Sequence, residues 1–109
     1  MKLVTAVIQP LRLDDVVDAL AAIGVDRLTV TEVKGVGRTG PPERTFPDSP
    51  PPPGLPSRTR IEMAVSAAML PEVIEAIRKA AVSGKAGDGK IFVTELDRAV
   101  RIRDGAQER

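Results

Sequence analysis

The sequence has no cysteine, histidine, tryptophan or tyrosine among its 109 residues. Without cysteine there is no disulfide and no thiol nucleophile. Without histidine there is no imidazole base and no Ser–His triad. A structural zinc site is disfavoured too, because cysteine and histidine are its usual ligands. The only aromatics are Phe46 and Phe92, too few to stack a run of single-stranded bases. An excess of one charge is also missing. Sixteen Lys and Arg face fifteen Asp and Glu, for a net +1, so no long-range field draws in nucleic acid or a membrane. Apolar runs fall far short of the ~20 residues of a membrane span. Met1-Lys2-Leu3-Val4-Thr5 enters a strand-like segment with no apolar signal core and no small-residue cleavage site, so a cytoplasmic location is the expectation.

What is present suits one globular domain over residues 1–109, with 42% apolar and 28% charged residues. Lys2–Ile8 reads as a strand stopped by Gln9-Pro10. A helix is expected from about Asp14 to Ile23: Val16, Val17, Leu20 and Ile23 share a face, two aspartates lie in the first turn, and Gly24 ends it. A second strand is expected over roughly Arg27–Val33, where Leu28 and Val30 alternate with threonines. Periodicity resumes at Arg60–Val65. Pro71 opens a second helix with Leu70, Val73, Ile74, Ile77 and Ala81 on one face. Ser83–Gly89 reads as a glycine-rich loop, Ile91-Phe92-Val93 begins a fourth strand, and Val100–Arg103 suggests a short fifth.

Between the halves, Gly35–Arg58 breaks every periodicity, and eight of the ten prolines lie between Pro41 and Pro56. Pro50–Pro53 favours polyproline II, an extended form at about 3.1 Å per residue. So long an irregular stretch inside a domain is a passive tether or a functional loop. The order β-α-β, long loop, β-α-β, with Val30-Thr31-Glu32-Val33 echoed by Val93-Thr94-Glu95-Leu96, predicts an α+β ferredoxin-like sandwich: an antiparallel sheet with two helices on one face. The other face, bearing Thr29, Thr31 and Glu32 among others, must meet water or another subunit.

Two glycine motifs fail their usual readings. Gly35-Val36-Gly37-Arg38-Thr39-Gly40 fits G-x-G-x-x-G, but Pro41-Pro42 follows where a dinucleotide site needs a helix. Gly84-Lys85-Ala86-Gly87-Asp88-Gly89-Lys90 fits G-x-x-x-x-G-K, but Ile91 follows and the segment leads into a strand, the reverse of a P-loop. Both still suit anions. Glycines let backbone N–H groups approach a phosphate. Lys90 adds a point charge, Arg101 and Arg103 alternate on a strand-like segment, and Arg38 and Arg58 flank the long loop. The competing reading is a tight helix-to-strand turn beside an ordinary charged edge.

The chain resembles the PII signal-transduction proteins over Met1–Arg38 and Arg60–Arg103. The resemblance is carried by Lys2-Leu3-Val4-Thr5-Ala6, Leu13-Asp14-Asp15-Val16, Thr29–Gly35, Gly84–Val93 and Val100-Arg101-Ile102-Arg103. It implies a homotrimer with ATP or ADP, or AMP, in clefts between subunits. Gly87, Asp88, Gly89 and Lys90 match the family's phosphate-holding loop, and Arg101 and Arg103 the arginines that reach from a neighbouring subunit. Gly35, Gly37 and Arg38 match the base of its effector loop, here about residues 36–58, while Thr29 and Ala64 fall where adenine is held. Arg58 replaces a usual lysine, keeping charge in a planar fork. Thr39 replaces a glutamine that helps hold the magnesium chelated by 2-oxoglutarate, which predicts that this sensing is lost. Magnesium would then be held through nucleotide phosphates. The loop tyrosine modified in many relatives is absent. Ser49 falls near a serine phosphorylated in some relatives, in a different motif.

The first functional expectation is therefore a non-enzymatic, nucleotide-sensing regulator. Its effector loop, with Phe46 and Leu55 as apolar anchors, would contact a membrane transporter or a metabolic enzyme. The altered loop leans toward a divergent role, for example in inorganic-carbon metabolism. The alternatives are a standard nitrogen regulator sensing ATP/ADP and 2-oxoglutarate, and a slow ATPase using Asp88, Glu32, Glu62 or a lysine as base. Nucleic-acid binding is disfavoured by the near-neutral charge and missing aromatics.

Overall fold

The computed structural model describes residues 1–36 and 55–108. Strand β1 (Lys2–Ile8) leads through a 3-10 turn at Pro10–Arg12 into helix α1 (Leu13–Ala22) and strand β2 (Thr29–Lys34). Strand β3 (Ser57–Val65), helix α2 (Leu70–Ala81) and strand β4 (Gly89–Glu95) repeat that pattern. The four strands form one sheet in the order β2-β3-β1-β4, with every neighbouring pair antiparallel. This is the expected ferredoxin-like arrangement.

Local chemistry explains the boundaries. Asp14 and Asp15 sit in the first turn of α1, where the helix dipole favours carboxylates. Its end is closed by Gly24 at φ +89°, a left-handed position glycine accepts without strain, and the Val25 N–H turns back to the Leu20 carbonyl at 2.9 Å. Pro71 lies in the first turn of α2, where its missing N–H costs nothing. Ser66 Oγ accepts the Met69 N–H just before it, at 3.3 Å.

The core follows from two periodicities. Val4, Ala6 and Ile8 of β1 and Ile61, Met63 and Val65 of β3 alternate onto one sheet face. Val16 and Leu20 of α1, with Val73, Ile77 and Ala81 of α2, cover them at helical spacing. Each fully buried aliphatic side chain there contributes roughly 1.5–3 kcal/mol. Among the described residues no helix covers the opposite face. Pairing brings Phe92, Thr5, Glu62 and Thr29 into one row across it, and Lys90, Val7, Arg60 and Thr31 into the next.

Several expectations need correction. Glu32 is not on the helix-free face with Thr29 and Thr31: it pairs with Thr59, whose buried side chain belongs to the core side. Strand β2 begins at Thr29 because residues 25–28 form the connection after Gly24, and β3 begins at Ser57, opposite Lys34, so Ser57 and Arg58 belong to the sheet and not to the loop. The segment Val100–Arg103 is not a strand. Only Ala99–Val100 (β5) is extended, pairing with Gln107–Glu108 (β6) in a separate hairpin. The chain turns between them because Asp104 Oδ1 accepts the Ala106 N–H at 2.9 Å and Gly105 adopts φ +69°. Arg101 and Arg103 therefore do not alternate along one strand.

Candidate functional site

The base of the long loop is tied before the loop begins. The Gly35 N–H donates to the Pro56 carbonyl at 3.0 Å, directly beyond the Lys34–Ser57 pair that ends β2 and begins β3. Arg58 rises beside this tie. Its Cγ lies 3.3 Å from where a Cβ on Gly35 would sit, and its Nη2 lies 3.7 Å from the same point on Gly87. The Arg58 side chain thus reaches from the loop base, at its Cγ, to the glycine loop, at its guanidinium.

The glycine loop is shaped by its own polar groups. The Asp88 carboxylate accepts the N–H groups of Ser83 and Gly84 at 2.9 and 3.1 Å, and also the Ser83 hydroxyl. These bonds, the Ser83 side chain's first, hold its pKa below the ordinary value, helped by the charge of Arg12. Gln9 Nε2 donates to the Gly87 carbonyl at 2.6 Å from the other side. Gly84, Gly87 and Gly89 all have positive φ, the geometry in which successive N–H groups turn outward toward an anion. Among the described residues the N–H groups of Ala86 and Gly87 make no hydrogen bond.

The result is a cleft of about 600 Å³ lined by Gly35, Arg58, Gly87, Asp88, Gly89 and Lys90 from the sequence-based set, with Val7, Val36, Lys85 and Phe92 besides. Three cations, Arg58, Lys85 and Lys90, and the free N–H of Gly87 share this cleft with the apolar carbon of Val7, Val36 and Phe92. Such a set can hold a polyanion, and a nucleotide's phosphates fit its chemistry.

Other candidates lie elsewhere. Thr29 pairs with Glu62, so Ala64, two residues on and on the same face, is its diagonal neighbour, roughly 7–8 Å away. Both lie toward the far end of the helix-free face. Ala64 pairs with Leu3 and Lys90 with Val7, a separation of about 13 Å along β1. Arg101 and Arg103 belong to the C-terminal hairpin, where Arg101 Nε donates to Asp104 Oδ1 at 3.1 Å, and neither lines the cleft. Leu55 is half exposed beside the loop base. Gly37, Arg38, Phe46 and Ser49 lie outside the described residues.

Sequence reasoning missed Gln9, Arg12 and Ser83. Gln9 was legible: it continues the alternation Leu3, Thr5, Val7 onto the helix-free face. Ser83 and Asp88, five residues apart across two glycines, had no periodic signal.

Comparison with known proteins agrees with this architecture. The family described as "Nitrogen regulatory protein P-II" matches residues 1–106. The chain is 47% identical over 105 residues to nitrogen regulatory protein GlnK of Escherichia coli (strain K12), spanning 96% of this chain and 94% of that protein. With the same coverage, it is 45% identical to nitrogen regulatory protein P-II of Rhizobium etli and 40% identical to that of Rhodospirillum rubrum. With a match running almost end to end and relatives this similar, the chain belongs to the P-II family of nitrogen regulatory proteins.

Proposed function

We propose that this protein is a nitrogen-regulatory signalling protein that binds ATP or ADP in the glycine-loop cleft and signals through residues 36–55. The observation carrying this reading is Arg58, whose side chain reaches from the base of that segment to the glycine loop. A ligand drawing on Arg58 acts on both, and so biases the loop that a membrane transporter or metabolic enzyme would read.

Assembly is part of the reading. The C-terminal arginine candidates do not line the cleft of their own chain, so a nucleotide that also used them would be shared between chains. The helix-free face, with Phe92 half exposed on it, supplies a surface to close a homotrimer.

A regulatory role is favoured over an ATPase by the state of the carboxylates. Asp88, the one carboxylate lining the cleft among the described residues, is engaged by Ser83 and Gly84 and held at a lowered pKa, which makes it a weak base. Glu62 accepts a hydrogen bond from Thr5 Oγ1 at 3.0 Å, and neither Glu62 nor Glu32 lines the cleft. The same donor set, rich in cations, leaves any magnesium to the nucleotide's phosphates. The nitrogen role is supported over a divergent carbon role by relatives at 38–47% identity, which are nitrogen regulatory proteins by name.

The test combines light scattering and calorimetry on the full chain. The expected results are three times the 11.6 kDa chain mass and saturable ADP binding that Lys90→Ala weakens by about tenfold or more. A monomer that still binds ADP would remove the intersubunit site, and equal affinity in Lys90→Ala would remove the phosphate cradle.

A further inference from the structure

Resting on the nucleotide reading above, we propose that Ser83 is a positioning residue for the phosphate cradle, acting through the Asp88 carboxylate without touching the ligand. Ser83 makes three bonds at once. Its N–H donates to Asp88 Oδ2 at 2.9 Å, its hydroxyl donates to Asp88 Oδ1, and the same hydroxyl oxygen accepts the Lys85 N–H at 3.2 Å. Gly84 adds its N–H to Asp88 Oδ2 at 3.1 Å. The loop is thereby closed into a ring from Ser83 to Asp88 by its own groups. Gln9 fixes the far side through the Gly87 carbonyl.

The ring has two consequences. The N–H groups of Ser83, Gly84 and Lys85 are consumed inside the loop, which leaves Gly87, at the tip, as a free N–H donor that lines the cleft. Such a donor binds an anion best when it is already ordered, since ordering then costs nothing at the moment of binding. The second consequence concerns charge. Asp88 keeps its negative charge beside a phosphate site, but the donors of Ser83 and Gly84 partly offset that charge and hold both of its oxygens toward themselves. Removing the Ser83 hydroxyl leaves Oδ1 without its donor, beside the place a phosphate would take. Ser83 lies outside the cleft lining and is itself exposed, so its replacement leaves the core untouched.

The experiment is ADP calorimetry on the full chain for wild type, Ser83→Ala, Ser83→Thr and Lys90→Ala, with amide exchange of residues 83–88 in the ligand-free protein. Ser83→Ala is expected to keep the thermal midpoint and assembly, bind ADP about tenfold more weakly, and exchange the loop amides faster. Ser83→Thr, which restores the hydroxyl, is expected to recover both affinity and protection. Wild-type affinity in Ser83→Ala, or failure of Ser83→Thr to restore it, overturns the role of Ser83. If Lys90→Ala is weakened while Ser83→Ala is unchanged, the nucleotide reading stands and this inference falls. If the wild-type protein does not bind ADP, the nucleotide reading itself falls and takes the inference with it.

Discussion

Gly89 lies so close against Val7 that a Cβ on Gly89 would sit 1.8 Å from the Val7 carbonyl oxygen. Its φ of +118° would strain any other residue as well. Gly89 is the first residue of β4 and pairs with Ile8, so one glycine both starts the strand and lets the glycine loop approach β1. Gly89→Ala must part β1 from β4 or shift the loop. The φ penalty alone is about 1–2 kcal/mol, and the clash with backbone adds to it. The midpoint of thermal unfolding is expected to fall by roughly 8 °C or more, measured by circular dichroism. A variant melting with the wild type would contradict the close approach.

How much of this was legible in the sequence depends on whether a residue acts through a period or through a turn. Val16 and Leu20, Val73 and Ile77, and Val4, Ala6 and Ile8 repeat at helical or strand spacing, so the elements and most of the core could be read directly. Arg101 and Arg103 also have strand spacing, but Asp104-Gly105 immediately after them is a hairpin turn signal, and it decides the local structure. Glu32 directly follows Thr31, so strand alternation puts it on the face opposite Thr29 and Thr31. In the site, Lys90 and the glycines announced themselves as a motif. The approach of Arg58 to Gly35 and Gly87 depends on how β2, β3, β1 and β4 pair, which no local pattern states.

Acid is expected to open the glycine loop before it unfolds the core. Asp88 has its pKa lowered in the folded protein, so the bonded carboxylate favours the folded loop. That contribution is complete above the ordinary value of 3.8 and is lost as pH falls through the depressed folded value. Amide exchange or amide chemical shifts followed from neutral into acid should show Ser83 and Gly84 released at a pH below 3.8 while β1 and β3 remain protected. Release of these two amides at or above that value would contradict the arrangement. Asp88→Asn should lack this acid transition altogether.

The residue at position 39 is expected to separate this protein from relatives that sense 2-oxoglutarate. Thr39 offers a short hydroxyl where the resemblance implies a glutamine amide beside magnesium. ATP affinity measured with magnesium should therefore be the same with and without 2-oxoglutarate. Coupling between two ligands is reciprocal, each tightening the other by one factor, so the titration can be run in either order. Clear mutual enhancement would restore the standard ligand pair and make Thr39 an adequate substitute.

The proline-rich segment is expected to carry partner recognition and not stability. Its flanks are held independently of its length: the Gly35 N–H meets the Pro56 carbonyl, and Lys34 Nζ donates to Ser57 Oγ at 3.1 Å. Replacing residues 41–54 with a short turn keeps both bonds and the cleft. Prolines also restrict the unbound chain, so a partner that orders this segment loses less entropy than it would with a glycine-rich one. The shortened protein should melt as the full chain does and bind ADP with the same affinity, yet lose the partner recovered from source cells by the intact protein. Recovery of the same partner by the shortened protein would assign recognition to another surface. Loss of ADP affinity would instead mean that residues 41–54 belong to the nucleotide site itself.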